Sequence, residues 1–379
     1  MDRIKTSQNF LDKRLQKRQE DGLLRTLVDK HHLIDFCSND YLGMARSDAF
    51  KALIEQKVAQ TNQLTSTIGA TGSRLISGNL QYTEQLEQSI ADFHQAEAGL
   101  LFNSGYDANI GIFAALAHKG DTIITDEFAH ASMIDGARLS HAKRLRFKHN
   151  NVADLEKKLG VAEGNVFIGV ESVYSMDGDL APLKAIADLA EKYGAHLIVD
   201  EAHATGVFGN KGEGVVQAEN LQERVLLRMH TFGKALGTHG AIVLGSHHLR
   251  DYLINFTRSF IYTTSLPFHS LLSIEAAYEL LPGCQAERQH LQYLIDFFQK
   301  QLRQQTPYQI LDSPSPIQGV IVPGNAQAKA VSQKLATAGF YVKAILSPTV
   351  PAKQERLRIC LHAFNTEAEL RQMIETIKN

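Results

Sequence analysis

His196-Leu197-Ile198-Val199-Asp200-Glu201-Ala202-His203-Ala204-Thr205-Gly206 is the stretch on which the reading of this chain turns. A short apolar run breaks abruptly into charge, the pattern of a buried strand that ends on an acid. A carboxylate in that position costs free energy unless it pairs or serves a site. Further on, Val225-Leu226-Leu227 leads into Thr231-Phe232-Gly233-Lys234. Two strand ends thus bring an Asp, a His, a Thr and a Lys into one neighbourhood.

Working outward, the same rhythm extends on both sides. Apolar or alternating runs occur at 100–102, 122–125, 145–147, 166–170, 196–200, 225–231 and 241–244. Most gaps between them hold helix-compatible segments, such as 108–117, 152–159 and 183–193. Strands alternating with helices predict an α/β fold with a largely parallel sheet covered on both faces. Ligands of such sheets sit beyond the carboxyl ends of the strands, so Ser104, Asp126, Glu171, Asp200 and Thr231 are the residues to examine.

Before this region, 1–30 reads as a polar helix with Phe10, Leu11 and Leu15 on one side, Ile34-Asp35-Phe36 as a short strand, and 48–60 as a helix. After about residue 265 a long helical region at 268–305 precedes strand-like pieces at 309–311, 319–322, 341–344 and 356–361, with helices at 325–338 and 366–378. The expected organisation is an N-terminal helix and short strand (1–45), a large domain (46–265) and a smaller C-terminal α+β domain (266–379).

Composition narrows the classes. The chain has 379 residues, 44% hydrophobic and 21% charged, which is ordinary for a globular protein. A formal net charge of −2 gives no basic footprint for nucleic acid. No run of about 18 apolar residues is present for a membrane span. Cys37, Cys284 and Cys360 have neither metal spacing nor a disulfide framework, which suits a reducing cytoplasm.

The chemistry lies in a few side chains. Lys234 sits in a small-residue turn after a strand; sheltered, such a lysine can lose its proton and act as a nucleophile toward a carbonyl. Asp200 can hold a pyridine nitrogen protonated, and His203 can bond a ring hydroxyl; the plainer alternative is that Asp200 caps a helix. Asp-Glu-Ala-His also matches a helicase box, but the Walker-type phosphate loop that would go with it is missing. Ser104-Gly105-Tyr106 opens a helix after a strand and suits a phosphate, with Thr231 adding a hydroxyl. His130 can stack on an aromatic ring, although most of the 16 histidines must be ordinary surface or core residues. A metal hydrolase built on Asp200, Glu201 and His203 has no third ligand at suitable spacing.

Taken together, the motifs resemble the α-oxoamine synthase family of fold-type I pyridoxal-phosphate enzymes. The likeness is carried by Asn39-Asp40-Tyr41-Leu42-Gly43, Gly72-Ser73-Arg74-Leu75-Ile76-Ser77-Gly78-Asn79, Ser104-Gly105-Tyr106, His130-Ala131-Ser132 and Ser175-Met176-Asp177-Gly178-Asp179. It continues through Asp200–Gly206, Thr231–Lys234, Tyr262-Thr263-Thr264-Ser265, Pro348-Thr349-Val350-Pro351 and Arg356-Leu357-Arg358. The resemblance implies a seven-stranded, mostly parallel large-domain sheet and a homodimer with shared active sites. It implies pyridoxal 5′-phosphate held covalently by Lys234, with Asp200 on the pyridine nitrogen, His203 on the ring oxygen and His130 stacked on the ring. Gly105, Tyr106 and Thr231 would surround the phosphate, with Thr264 arriving from a partner subunit. Asn39, Glu171 and Ser175 would line the substrate side, Ser175 next to the cofactor.

The Gly-Ser-Arg-Leu-x-Ser-Gly-Asn loop matches the subgroup that condenses L-alanine with a pimeloyl thioester, on CoA or a carrier protein, with loss of CO₂. One position departs from the family. An arginine for the amino-acid carboxylate usually stands two residues before Pro-Thr-Val-Pro, where this chain has Leu346. Arg358, Arg356 or a residue of another loop then becomes the candidate for that carboxylate, and Arg25 for the distal carboxylate of the acyl chain. Leu346 also leaves open a sister reaction of glycine with acetyl-CoA or serine with a long-chain acyl-CoA. A non-catalytic pyridoxal-phosphate-binding regulator would need a DNA-binding module, for which residues 1–35 are too short and too mixed in charge.

Overall fold

The computed structural model describes residues 2–61 and 69–378, with side chains from residue 8 onward. Its strands are β1 (Ile34–Asp35), β2 (Ala98–Phe102), β3 (Thr122–Asp126), β4 (Lys143–Phe147), β5 (Val166–Glu171) and β6 (His196–Asp200). They continue with β7 (Leu227–Thr231), β8 (Ala241–Gly245), β9 (Ile317–Ile321), β10 (Phe340–Tyr341), β11 (Lys343–Ile345) and β12 (Arg356–Cys360). Strands β2 to β8 form one seven-stranded sheet in the order β2-β8-β7-β6-β5-β3-β4. Within it β8 alone runs against its neighbours, pairing antiparallel with both β2 and β7. The other six end at one edge, which gathers Phe102, Asp126, Phe147, Glu171, Asp200 and Thr231.

Strand alternation feeds two separate hydrophobic layers. On β6, Ile198 joins Phe113 and Met133 on one face, while Leu197 and Val199 join Ile186 and Ala190 on the other. Burial on both faces explains why the central strands read as nearly continuous apolar runs. The edge strand β4 is exposed and basic, with Lys143, Arg144 and Arg146, a composition that discourages pairing with another chain.

Helix Gly105–Leu116 follows β2 and crosses helix Ala131–Leu139, which follows β3. The crossing is tight because Gly136 has no side chain. A Cβ there would lie 2.9 Å from the Asn109 carbonyl oxygen and 3.0 Å from Ile110 Cα.

In the C-terminal part, β12 pairs antiparallel with both β9 and β11. Strand β1 crosses the sequence to pair in parallel with β10. Several sequence expectations need correction. The N-terminal helix stops at Glu20 and does not reach residue 30. The piece at 341–344 is split between β10 and β11, which belong to different sheets. The helical region at 268–305 is two helices, Phe268–Leu280 and Gln285–Gln305, separated by a short turn at Leu281–Gly283. Pro282 and Gly283 are the physical reason, since both break helices. The piece at 309–311 makes a single bridge, Ile310 to Val320, and is not a strand.

A charged clamp fastens the strand ends. His149 Nδ1 lies 2.9 Å from Asp126 at the end of β3, and Nε2 lies 2.7 Å from Asp179 in the loop beyond β5. Its ring stacks on Phe128 at 4.4 Å. Burial alone would lower the His149 pKa, but the two carboxylates outweigh it and push it up to about 10. The folded state therefore keeps a proton that the unfolded chain releases near 6.5. Between those values the unfolded state binds fewer protons, so this contribution, whole at lower pH, is lost as pH rises through about 10. With the side chain 17% exposed, it amounts to several kcal/mol, on the order of 3–5. Melting temperatures of wild type and His149→Gln across this range should converge as pH rises. Parallel profiles would mean that the ring is not held as a cation.

Candidate active site

A cavity of about 250 Å³ opens at the carboxyl edge of the sheet, with Asn39, Gly105, Glu171, Asp200, Thr231 and Lys234 among its walls. Each reaches it from a different element. Asp200 and Glu171 are register partners at the ends of β6 and β5. Thr231 ends β7, and Lys234 stands in the turn before β8.

Asp200 is 5% exposed. Its Oδ2 accepts from Asn109 Nδ2 at 2.8 Å, and its Oδ1 accepts from the Ala202 N–H at 2.8 Å. The latter bond closes a turn and does not cap a helix, since the next helix begins only at Val215, and the carboxylate faces the cavity. Burial, and then the charge of Asp200, pushes the Glu171 carboxyl well above its ordinary value. One Glu171 oxygen accepts from the Ser175 N–H at 3.2 Å, and the other has no partner among the described residues. Burial likewise pulls the Lys234 amine down, against the opposing charges of Asp200 and Glu171.

His203 is buried, with Nδ1 2.7 Å from the Tyr41 hydroxyl. Burial and the nearby Lys234 charge keep its pKa well below the usual histidine range, so the ring is neutral. Tyr41 also donates to Asn39 Oδ1 at 3.1 Å. His130 caps helix Ala131–Leu139, and its ring meets the edge of Tyr106 at 6.4 Å. The Tyr106 hydroxyl donates to Asp135 at 2.7 Å.

The cavity residues fit pyridoxal phosphate. Gly105 begins a helix whose first N–H groups point outward, as an anion requires. A Cβ on Gly105 would fall 2.4 Å from Thr231 Cγ2, so glycine is needed for the two elements to meet. Thr231 Oγ1 is buried there with no partner among the described residues, a donor left waiting for an acceptor. The cavity thus combines an anion cradle, a buried acid, a neutral imidazole and a lysine of depressed basicity.

The other sequence candidates have different surroundings. Ser175 works through its backbone: its N–H serves Glu171, and its carbonyl accepts from Arg358 Nε at 2.7 Å. Arg358 is 9% exposed and stands behind Asn39, to whose Oδ1 it donates at 3.1 Å. Arg356 is buried in an ion pair with Asp177. Thr264 is exposed, its carbonyl accepting from Asn103. Arg25 is exposed in a stretch without regular structure. Sequence reasoning missed Asn109, and it gave no role to Ser132, Tyr41 or His149. A polar Asn109 within the apolar helix 108–117 was the one local signal.

Comparison with known proteins agrees with this geometry. The model of the family "Aminotransferase class I and II" matches residues 31–377. An 8-amino-7-oxononanoate synthase of Emericella nidulans is 44% identical, covering 95% of this chain and 93% of that protein. One of Trichlorobacter lovleyi is 41% identical, covering 97% and 96%. Among solved structures, a serine palmitoyltransferase of Sphingomonas wittichii superposes with a TM-score of 0.85 at 33% identity, covering 91% of this chain and 86% of that one. An 8-amino-7-oxononanoate synthase from Francisella tularensis gives 0.79 at 30% identity, covering 91% and 97%. Because the match runs through the large sheet and on into the C-terminal strands, the chain belongs to the class I and II aminotransferase family, in its α-oxoamine synthase branch.

Proposed function

We propose that this protein catalyses the pyridoxal-phosphate-dependent, decarboxylating condensation of L-alanine with pimeloyl-CoA, or pimeloyl-carrier protein, to 8-amino-7-oxononanoate, a step of biotin biosynthesis. The observation that carries the reading is the convergence of Lys234, Asp200, His203 and His130 on one cavity, in a chain 44% identical over nearly its full length to a synthase of that name. When bound, pyridoxal phosphate supplies an electron sink for negative charge at the amino-acid α-carbon. Lys234 is the covalent anchor, and its depressed basicity suits it to take and return the α-proton at Nζ. Asp200 offers its carboxylate to the cofactor's ring nitrogen, and His203 bonds the ring oxygen. Gly105, Tyr106 and Thr231 surround the phosphate. Glu171, buried and pushed up, remains protonated near neutral pH and is a donor toward the substrate. Asn39 and Ser175 lie on that same side.

Arg358 is the proposed partner of the amino-acid carboxylate. Its guanidinium donates to three neutral acceptors, the Ser175 carbonyl, Asn39 Oδ1 and Cys360 Sγ. A buried cation without a counter-ion is costly, and a substrate carboxylate would supply one. Arg356 already has Asp177. Leu346 packs against the hydrophobic core.

The reading extends to a cytoplasmic homodimer. No helix among the described residues is long and apolar enough to cross a membrane. Leu75, Ile76 and Tyr262 are more than half exposed, on two loops joined by the bond from the Ser265 N–H to the Gly72 carbonyl. A second subunit covering these loops would bring Thr264 to its neighbour's phosphate. Arg25 is proposed for the distal carboxylate of the acyl chain.

Thiol release, measured over a matrix of amino acids and acyl thioesters, should be fastest with L-alanine and pimeloyl thioester. A preference for glycine with acetyl-CoA, or serine with a long-chain acyl-CoA, would replace this reading by a sister reaction. Lys234→Ala should remove both turnover and the visible absorbance of the purified protein. Arg358→Lys should raise KM for the amino acid by about 10- to 100-fold, since a charge-assisted bidentate contact is lost. Its KM for the thioester should change little; an equal rise in both constants would take the carboxylate site away from Arg358.

A further inference from the structure

Four side chains from three parts of the sequence form one line of hydrogen bonds along the wall of the cavity. Asn109 Nδ2 donates to Asp200 Oδ2 at 2.8 Å and to Ser132 Oγ at 3.0 Å, which uses both amide hydrogens. Ser132 Oγ lies 2.7 Å from His130 Nδ1. The backbone N–H of Ser132 donates to the same nitrogen at 3.3 Å.

The direction of each bond follows from chemistry. A carboxylate only accepts, so Asn109 must turn its amide nitrogen toward Asp200. The Ser132 oxygen then receives an amide hydrogen, and its own hydrogen is free for His130. A backbone N–H can only donate, so His130 Nδ1 must be an acceptor and bear no proton. The remaining ring proton is on Nε2.

We infer that Asn109 and Ser132 are positioning residues: they hold His130 as the neutral imidazole with its proton on Nε2, and they tie that tautomer to Asp200. The inference rests on the proposed function for the purpose His130 serves, while the tautomer is a property of the protein alone.

Two further observations support the assignment. Asn109, Ser132 and Asp200 are 1%, 0% and 5% exposed, so water does not compete for these bonds. Asn109 Oδ1 has no partner among the described residues. An apolar residue in this helix would avoid that cost, so the donors of Asn109 are the reason for its presence. The crossing at Gly136 brings the two helices close enough for the chain to close. The consequence is electrostatic. A neutral ring can lie against a cofactor whose nitrogen is protonated beside Asp200, whereas an imidazolium would repel it. Burial lowers the His130 pKa in the same sense.

Capping of the helix by His130 explains the backbone bond but needs no serine hydroxyl, so Ser132→Ala separates the two roles. The test is ¹⁵N NMR of histidine-labelled full-length protein, with and without pyridoxal phosphate, the His130 signals being identified by their loss in His130→Gln. Wild type should show a neutral ring protonated on Nε2 near neutral pH. In Ser132→Ala the His130 titration midpoint should rise by about one unit, because a donor to the neutral form is gone. Ser132→Thr, which keeps the hydroxyl, should restore it, and Asn109→Ala should shift it in the same direction as Ser132→Ala. An Nδ1 proton or an imidazolium in wild type would overturn the inference, as would a Ser132→Ala midpoint equal to wild type in a variant with an unchanged melting temperature. The measurement needs no substrate, so failure of the alanine and pimeloyl assay leaves it standing, and the reverse also holds.

Discussion

A carboxylate at the end of a buried strand is the constraint around which this structure is arranged. Asp200 is 5% exposed, and its nearest strand neighbour, Glu171, is a second acid in register with it. Two ionised carboxylates cannot share so dry a place at low cost. The protein answers with burial and proximity that push Glu171 toward its protonated form, and with two N–H donors, from Asn109 and Ala202, that satisfy Asp200. The helix that supplies Asn109 is the same one whose first residue, Gly105, opens the anion cradle. The donor to Asp200 and the candidate phosphate site are therefore about one turn apart on one rigid element.

The same logic governs the remaining titratable groups. Burial moves His203, His130 and Lys234 toward their neutral forms. Arg358 stays cationic because a guanidinium does not readily give up its proton. The cavity thus has the Asp200 carboxyl in its wall, with the Arg358 guanidinium behind Asn39. A ligand system with a cationic ring nitrogen at one end and a carboxylate at the other is complementary to that pair. Under the proposed function, this gives a purpose to a buried arginine whose acceptors are neutral.

Much of the fold was legible because the parallel sheet writes itself locally. Each central strand is buried on both faces, so its sequence is a short apolar run. The six co-directional strands end at one edge, so Glu171, Asp200 and Thr231 could be picked out as the polar residues that follow those runs. The reversed direction of β8 was not legible, since Ala241–Gly245 reads as apolar whichever way it runs. Pro282 and Gly283 marked a helix break that an average over 268–305 hides.

The site was legible where one motif holds both the residue and its reason, as in Asp200 to His203 and Thr231 to Lys234. It was not where the reason lies far away in the chain. Tyr41 is 162 residues from His203, and Asn109 is 91 from Asp200. Neither pairing has a period or a spacing, because each is made by helices and loops meeting over the sheet. The arginine question shows the same limit. Sequence position favoured Arg356 and Arg358 equally, as neighbours on β12 two residues apart and on the same face. Only the third dimension separates them: Asp177 lies against one guanidinium, and a carbonyl, an amide and a thiol lie against the other. The distinction is thus made by what Arg358 lacks among the described residues and Arg356 has, and a missing counter-ion is visible only once the fold has brought the candidates together.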